Sequence, residues 1–286
     1  MLLPTMVGTC EPETMMQPPR ILIRGAGEMA TGIALHLAEA GLDRLALQEC
    51  PFPTAIRRAV CFSEAVAEGR WQVRGRYARH LPQPEDCPRC WEQGESPVLT
   101  CAEAATLHAV RPDIFIEATL RKRPVPLGRH LASLVLALGP GFTAGLDAHI
   151  VVETHPDHCG EILTRGAARA PDTGDAQAPV AVRHLRAPTD GRFCTDRHLG
   201  ERLEAGSPVG FLQTDTKSIP LHAPLSGLLR GLLRDGTPVR RGGKVADMDD
   251  RPHITPQTLS RRATILGQAV TRLVREWLQG DRHATL

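Results

Sequence analysis

Ile21-Leu22-Ile23-Arg24-Gly25-Ala26-Gly27-Glu28-Met29-Ala30 is an apolar run, a glycine turn and the start of a helical pattern. Met29, Ile33, Leu37 and Ala40 then recur on one face at helical spacing, and Gly41 stops the helix. A second apolar run, Arg44-Leu45-Ala46-Leu47-Gln48-Glu49, ends at Cys50-Pro51. Strand, glycine turn, helix and strand within about 30 residues make a βαβ unit, which prefers a parallel sheet. Further buried-strand candidates are Asp113–Ala118, Leu134–Leu138 and His149–Thr154. Residues 53–69 read as partly helical, and 70–101 as irregular.

The C-terminal half has a different grammar. Leu185-Arg186-Ala187-Pro188-Thr189-Asp190-Gly191 is echoed by Leu221-His222-Ala223-Pro224-Leu225-Ser226-Gly227, 36 positions on (221 minus 185). Gly206-Ser207-Pro208-Val209 is likewise echoed by Gly236-Thr237-Pro238-Val239. Repetition at this distance indicates one supersecondary unit used twice. The phrases read as strands ending in or leaving tight turns. The expected fold is therefore α/β: a Rossmann-like parallel-sheet domain at 21–165, with a Cys-bearing insertion at 78–101. A small all-β barrel-sandwich module of the lipoyl/biotinyl kind follows at 180–250, then a closing helix within 255–280. Residues 1–20 read as a loose leader and 166–179 as a linker.

Bulk composition narrows the class. The 286 residues suffice for two cores. Aromatics make up 3%, too few for base-stacking platforms, and the net charge of +2 gives no basic footprint, so no nucleic-acid partner is expected. No signal peptide and no stretch of about 18 apolar residues is present, so neither secretion nor a membrane is expected, and the location reads as cytoplasmic. Eight cysteines in that setting are thiols or metal ligands.

Gly25, Gly27 and Ala30 fit the pattern G-x-G-x-x-A in its proper context, after a strand and opening a helix. The first glycine permits the turn, the second lets a phosphate approach, and Ala30 allows close helix packing. Glu49, 22 positions after Gly27, suits a contact to ribose hydroxyls. Gly139, Gly141, Thr143 and Gly145 form a second glycine loop that could make an anion nest. Asp147, His149 and Glu153 follow it on one strand face, and His149 and Glu153 are the candidate acid/base pair. Cys87-Pro88-Arg89-Cys90, with His80 and Cys101, offers an incomplete zinc set. Lys217 lies between the two β repeats, where lipoyl and biotinyl domains carry a modified lysine, but without their flanking residues. Arg57-Arg58, Arg121-Lys122-Arg123 and Arg240-Arg241 are basic clusters; Arg57 or Arg58 could reach a phosphate.

Several phrases together resemble one family, the YqeB-type accessory proteins of selenium-dependent molybdenum hydroxylases. They are Ile23–Gly32, Pro53–Val66, Leu138–Asp147, Val152–Thr154, Arg186–Pro188 and Gly227–Leu233. The chain departs from the family in its 80–101 stretch. It also has His155-Pro156-Asp157-His158 where the family usually has an Arg-Gly-His-type phrase. The resemblance implies maturation of a xanthine-dehydrogenase-like client and handling of its molybdopterin dinucleotide or another small-molecule nucleotide. It identifies no catalytic step. A homo-oligomer is compatible with it. A sulfur or selenium transfer role would need a reactive thiolate, for which Cys61 within the matching phrase is the candidate. The rival readings are an NAD-dependent oxidoreductase and a non-catalytic scaffold that docks a client.

Overall fold

The computed structural model describes residues 17–120, 127–171 and 184–280. The basic cluster 121–123, most of the leader and much of the linker lie outside those residues. Among the described residues no helix is long and apolar enough to cross a membrane.

The N-terminal part is built on β1 (Ile21–Arg24), β2 (Leu45–Gln48), β3 (Arg70–Val73), β4 (Arg76–Leu81), β5 (Ser96–Leu99), β6 (Ile114–Glu117) and β7 (Leu134–Leu138). Beyond β7 come β8 (Thr143–Ala144), β9 (Ile150–Val152), β10 (Ile162–Leu163) and β11 (Gly166–Ala167). Nine of these form one sheet, ordered β10-β9-β7-β6-β1-β2-β5-β4-β3, while β8 pairs with β11. From β9 across to β4 every pairing is parallel; β10 and β3 cap the ends antiparallel. A sheet covered on both faces demands continuous apolar strands, and β1, β6 and β7 are buried at every position. Alternation sends Ile21 and Ile23 to one core layer and Leu22 to the other.

Among the described residues five α-helices accompany the strands: α1 (Glu28–Glu39), α2 (Ala65–Glu68), α3 (Cys87–Glu92), α4 (Glu103–Val110) and α5 (Arg261–Leu278). The sequence indicates a single apolar stripe for α1, yet seven of its residues are buried, including Thr31, Gly32 and Ala34. The reason is α5. After the β module the chain returns to pack α5 on α1, and Leu266, Val270 and Val274 join the core of β1 and β2. Ser260 caps α5, its Oγ accepting from the N–H of Ala263. The crossing is close. A Cβ on Gly32 would lie 2.8 Å from the Ala263 carbonyl oxygen, and one on Gly267 would lie 2.8 Å from that of Gly32.

The irregular reading of 70–101 is corrected. That stretch supplies β3, β4, α3 and β5, and so extends the main sheet by three strands. Its strands were obscured because β4 leaves four of its six positions partly exposed and β5 contains Pro97. Arginines occupy β3 and β4 at the sheet's end, where buried Glu95 accepts from Arg70 and Arg79.

The C-terminal repeat forms β12 (His184–Arg186), β13 (Gly191–Cys194), β14 (Arg202–Leu203), β15 (Pro208–Gln213), β16 (Ser218–His222), β17 (Gly227–Leu232), β18 (Pro238–Val239) and β19 (Lys244–Asp249). They make two four-stranded sheets, β12-β19-β17-β14 and β16-β15-β13-β18, around one core. Advancing each of β12–β15 by four strands, and moving each of β16–β19 back by four, converts the first order into the second. The sequence repeat is therefore a structural exchange of the two sheets. Each Ala-Pro turn carries the chain between sheets, in opposite directions in the two copies, and buried Phe193 and Leu229 occupy equivalent core positions.

Gly32→Ala should destabilise the chain by about 1–3 kcal/mol through overpacking against the α5 backbone. Urea unfolding would reveal this as a lower midpoint at unchanged slope. An unchanged midpoint would mean that the helices can separate without cost.

Candidate functional site

The strand order reverses at β1, with β2 and the chain that follows it on one side and β6 and β7 on the other. In open α/β sheets ligands bind at the carboxyl ends of strands beside such a switch. A cavity of about 630 Å³ lies there, walled by the ends of β1, β2 and β6, the start of α1 and the segment 54–57.

The glycine turn forms its floor. Gly25 has φ +108°, and a Cβ there would meet the Ala118 carbonyl at 3.2 Å, so both conformation and space require glycine. Gly27 differs: its backbone is extended, and a Cβ would meet nothing within 4 Å. The open space beside Gly27 is what a ligand approaching the turn needs. Gly27 is the N-cap of α1 and provides no side-chain cap. Ala30 is buried against the core, as its packing role requires. Glu49 reaches back from the end of β2; its Oε2 accepts from the N–H of Ala26 at 3.0 Å and its Oε1 from that of Cys50 at 2.8 Å. A carboxylate has about four acceptor sites, so capacity remains for a ligand hydroxyl.

The walls hold charged groups that motif reading missed. Arg24 and Glu117 are register partners on β1 and β6, joined by a 2.7 Å bond between Arg24 Nη1 and Glu117 Oε2. Glu117 is fully buried and also accepts from the backbone and hydroxyl of Thr119. Arg24 Nη2 donates to Glu103. Opposite, buried Arg57 donates through Nη2 to the Thr258 carbonyl (2.6 Å) and lies 3.7 Å from Glu28, which accepts from the Ser260 N–H. Burial holds the Arg57 pKa below its ordinary value. The Nε atoms of Arg24 and Arg57 are buried without a hydrogen-bond partner. The available signal was a charge closing each apolar strand, Arg24 after Ile23 and Glu117 after Ile116.

Other expected residues are placed elsewhere or already committed. The loop carrying Gly139, Gly141, Thr143 and Gly145 does not line this cavity. Three of its N–H groups are taken by residues that follow the loop: Gly139 donates to the Val152 carbonyl, Thr143 to the Asp147 carboxylate and Gly145 to the Ala148 carbonyl. Those three amides are therefore not free to form the expected anion nest. His149 accepts at Nδ1 from the Val135 N–H, and burial, with Arg129 nearby, lowers its pKa. Glu153 is buried; its oxygens accept from the N–H groups of Thr154, His155 and Arg169. Burial raises its pKa but those bonds outweigh it, leaving the pKa below the ordinary range. Both acid/base candidates are thus structural in their bonding. Cys61 borders the cavity, yet its thiol is buried, donates to the Arg57 carbonyl, and is pushed well above its ordinary pKa by burial.

The proposed zinc ligands do not converge. His80 bonds Thr100 through Nε2, Cys101 bonds Thr106, and Cys87 and Cys90 are buried in an apolar core layer. Burial pushes both of those thiols up to about 12. Among the described residues no group of three or more His, Cys, Asp or Glu is placed to hold a metal. Lys217 stands at the turn between β15 and β16, its N–H held by the Thr214 hydroxyl.

No protein-family model matches the chain. The sequence is similar to the uncharacterized protein YqeB of Escherichia coli (strain K12), 34% identical over 254 residues, 87% of this chain and 46% of that protein. The chain therefore spans just under half the length of that curated relative, and it is YqeB-like in sequence. Among solved structures, the apo ectoine utilization protein EutE (DoeB) from Ruegeria pomeroyi is 10% identical and covers 82% of this chain and 86% of its own, with a TM-score of 0.27. A succinylglutamate desuccinylase/aspartoacylase from Rhodobacter sphaeroides is 23% identical, covers 31% of this chain and 30% of its own, and has a TM-score of 0.24. Structural likeness at that level carries no argument here.

Two outcomes follow from the site geometry. Gly25→Ala should lower the melting temperature markedly, whereas Gly27→Val should keep wild-type circular dichroism and lose only the small amount that a poorer N-cap costs. Equal losses in both variants would contradict the assignment of open space beside Gly27. Separately, Glu153 has a folded-state pKa below its unfolded value of roughly 4.3. Its contribution is full above that unfolded value and is lost as pH falls through the folded one. Glu153→Gln should therefore cost about 1–3 kcal/mol near neutrality, and urea midpoints of the two proteins should converge below about pH 4. A gap that does not change with pH would show that the carboxylate charge is immaterial.

Proposed function

We propose that this chain is an accessory factor in maturation of a selenium-dependent, xanthine-dehydrogenase-like molybdenum hydroxylase. In this reading it binds a nucleotide or molybdopterin dinucleotide as cargo in the cavity at the strand switch. The N-terminal part acts as a Rossmann-like nucleotide-binding domain. The two-sheet module acts as a lipoyl/biotinyl-like barrel-sandwich that docks the client.

The carrying observation is the cavity itself, with its floor open at Gly27 and Glu49 facing it from the end of β2. Its volume falls in the range of small-molecule and cofactor sites. The guanidinium groups of Arg24 and Arg57 also line the cavity and fit a polar occupant. The reading is one of binding. His149 and Glu153 are engaged by backbone groups and Cys61 is a buried neutral thiol, so this site offers none of the acid, base or thiolate first considered. The client is inferred from the family resemblance, which the YqeB similarity supports without carrying an activity.

Native mass spectrometry of freshly purified protein should show a retained nucleotide or pterin dinucleotide, absent from Gly27→Val. Co-expression with a molybdenum hydroxylase should yield active client with the wild-type chain and inactive client with Gly27→Val. Full client activation by a correctly folded Gly27→Val chain would sink the nucleotide-handling role and leave the docking scaffold.

A further inference from the structure

A second cavity, of about 330 Å³, adjoins the first: Leu120 lines both. Leu120 is one of few non-glycine residues here with positive φ, at +52°. The two cavities differ sharply in charge. The first sets Arg24 and Arg57 against three carboxylates, Glu28, Glu49 and Glu103. It suits a nucleoside, whose hydroxyl groups are neutral, better than a run of phosphates. The second sets Arg169, Lys244 and Arg262 against one carboxylate, Glu153.

That one carboxylate is already bound by three backbone N–H groups. Arg169 lies 3.6 Å from it and 3.1 Å from Glu161. Arg262 Nη2 donates to the Thr154 carbonyl at 2.6 Å. It has no ion-pair partner among the described residues. The three cations come from remote parts of the chain, just beyond β11, at the start of β19 and in the first turn of α5. They are therefore no run of charge along one exposed face. Cations converging on a cleft raise the local potential for an anion, and guanidinium groups match phosphate oxygens in pairs.

We infer that the second cavity is a phosphate subsite, occupied by the phosphate end of a ligand whose nucleoside portion lies in the first. The span across Leu120 rests on the nucleotide reading above; the subsite itself stands on its own residues. The ligand class is then a nucleotide extended by at least one phosphate beyond the nucleoside monophosphate, a dinucleotide being the natural case.

Inorganic pyrophosphate titrated calorimetrically into Gly27→Val, where the first cavity is obstructed, should still bind saturably. Adding Arg262→Ala should weaken that binding by about tenfold or more, with Lys244→Gln as a second variant. Loss of saturable binding in Gly27→Val, or affinity unmoved by Arg262→Ala in a chain with wild-type melting, overturns the subsite. In the otherwise wild-type protein NAD+ should bind about tenfold or more tightly than AMP, and Arg262→Ala should remove that margin without changing AMP affinity. Equal affinities for the two overturn the span. Failure of AMP to bind, with pyrophosphate binding retained in Gly27→Val, would instead remove the nucleoside reading and leave the phosphate subsite standing.

Discussion

The crossing of α1 and α5 through Gly32 and Gly267 is the contact on which the other features depend. Each glycine lies against backbone of the opposite helix, so the axes approach more closely than any pair of larger side chains would allow. That approach brings a segment more than 200 residues away in sequence onto the glycine turn. Ser260 donates to Glu28, Thr258 accepts from Arg57, and Arg262 faces the second cavity. Without the helix crossing, Arg57 would lose the carbonyl that holds it and the second cavity would lose one of its three cations. Site and closing helix are in that sense one construction.

The joint between the two halves uses another short stretch, the phrase at 53–66. Leu232 donates its N–H to the Ile56 carbonyl at 2.8 Å, and Arg58 Nε donates to the Leu232 carbonyl at 2.8 Å, so a strand of the β module is bonded to this stretch in both directions. Glu64, buried, pairs with Arg58 and with Arg234 across the joint. Breaking a buried pair by removing one partner costs far more than the pair contributes as a unit. The stretch that walls the first cavity is thereby also the stretch that fixes the β module, and a ligand against Arg57 lies one residue from bonds to β17.

Legibility in the sequence followed the range of the interactions involved. The β1-α1-β2 unit could be read because its determinants, an apolar run and a glycine turn, are local. The repeat could be read because symmetry appears twice in one chain. What escaped was set by distant partners. The burial of α1 on two sides depends on α5, and the sheet membership of β3, β4 and β5 depends on pairing that arginines and Pro97 disguise. The 139–145 loop looks like an anion nest until Asp147 and the carbonyls of Val152 and Ala148 are seen to take its amides. His80, Cys87, Cys90 and Cys101 have suggestive spacing, but the two core-facing thiols turn away from any shared centre with His80. Gly25, Gly27 and Glu49, grouped by the motif, line one cavity, while Arg24, Glu117 and Arg57 required knowledge of which segments are neighbours.

The β module shows how a symmetric unit acquires one distinct side. The two copies exchange sheets, so their equivalent strands begin with equivalent surroundings. At the offset of 36, Thr195 in the first copy corresponds to Gly231 in the second. The Thr195 hydroxyl donates to the Val209 carbonyl within the module. At Gly231 a Cβ would stand 3.3 Å from Arg57 and from Ile56, and 2.9 Å from the Asp247 side chain. Gly231 has a bare backbone where the N-terminal part is docked; Thr195 has a side chain where it is not. The asymmetry is therefore written at the point of contact, and the copy containing β13 keeps its equivalent position clear of Ile56 and Arg57. The copy containing β17 thus holds the cavity wall through Gly231 and Leu232, while the equivalent of Gly231 in the other copy is Thr195, bonded within the module.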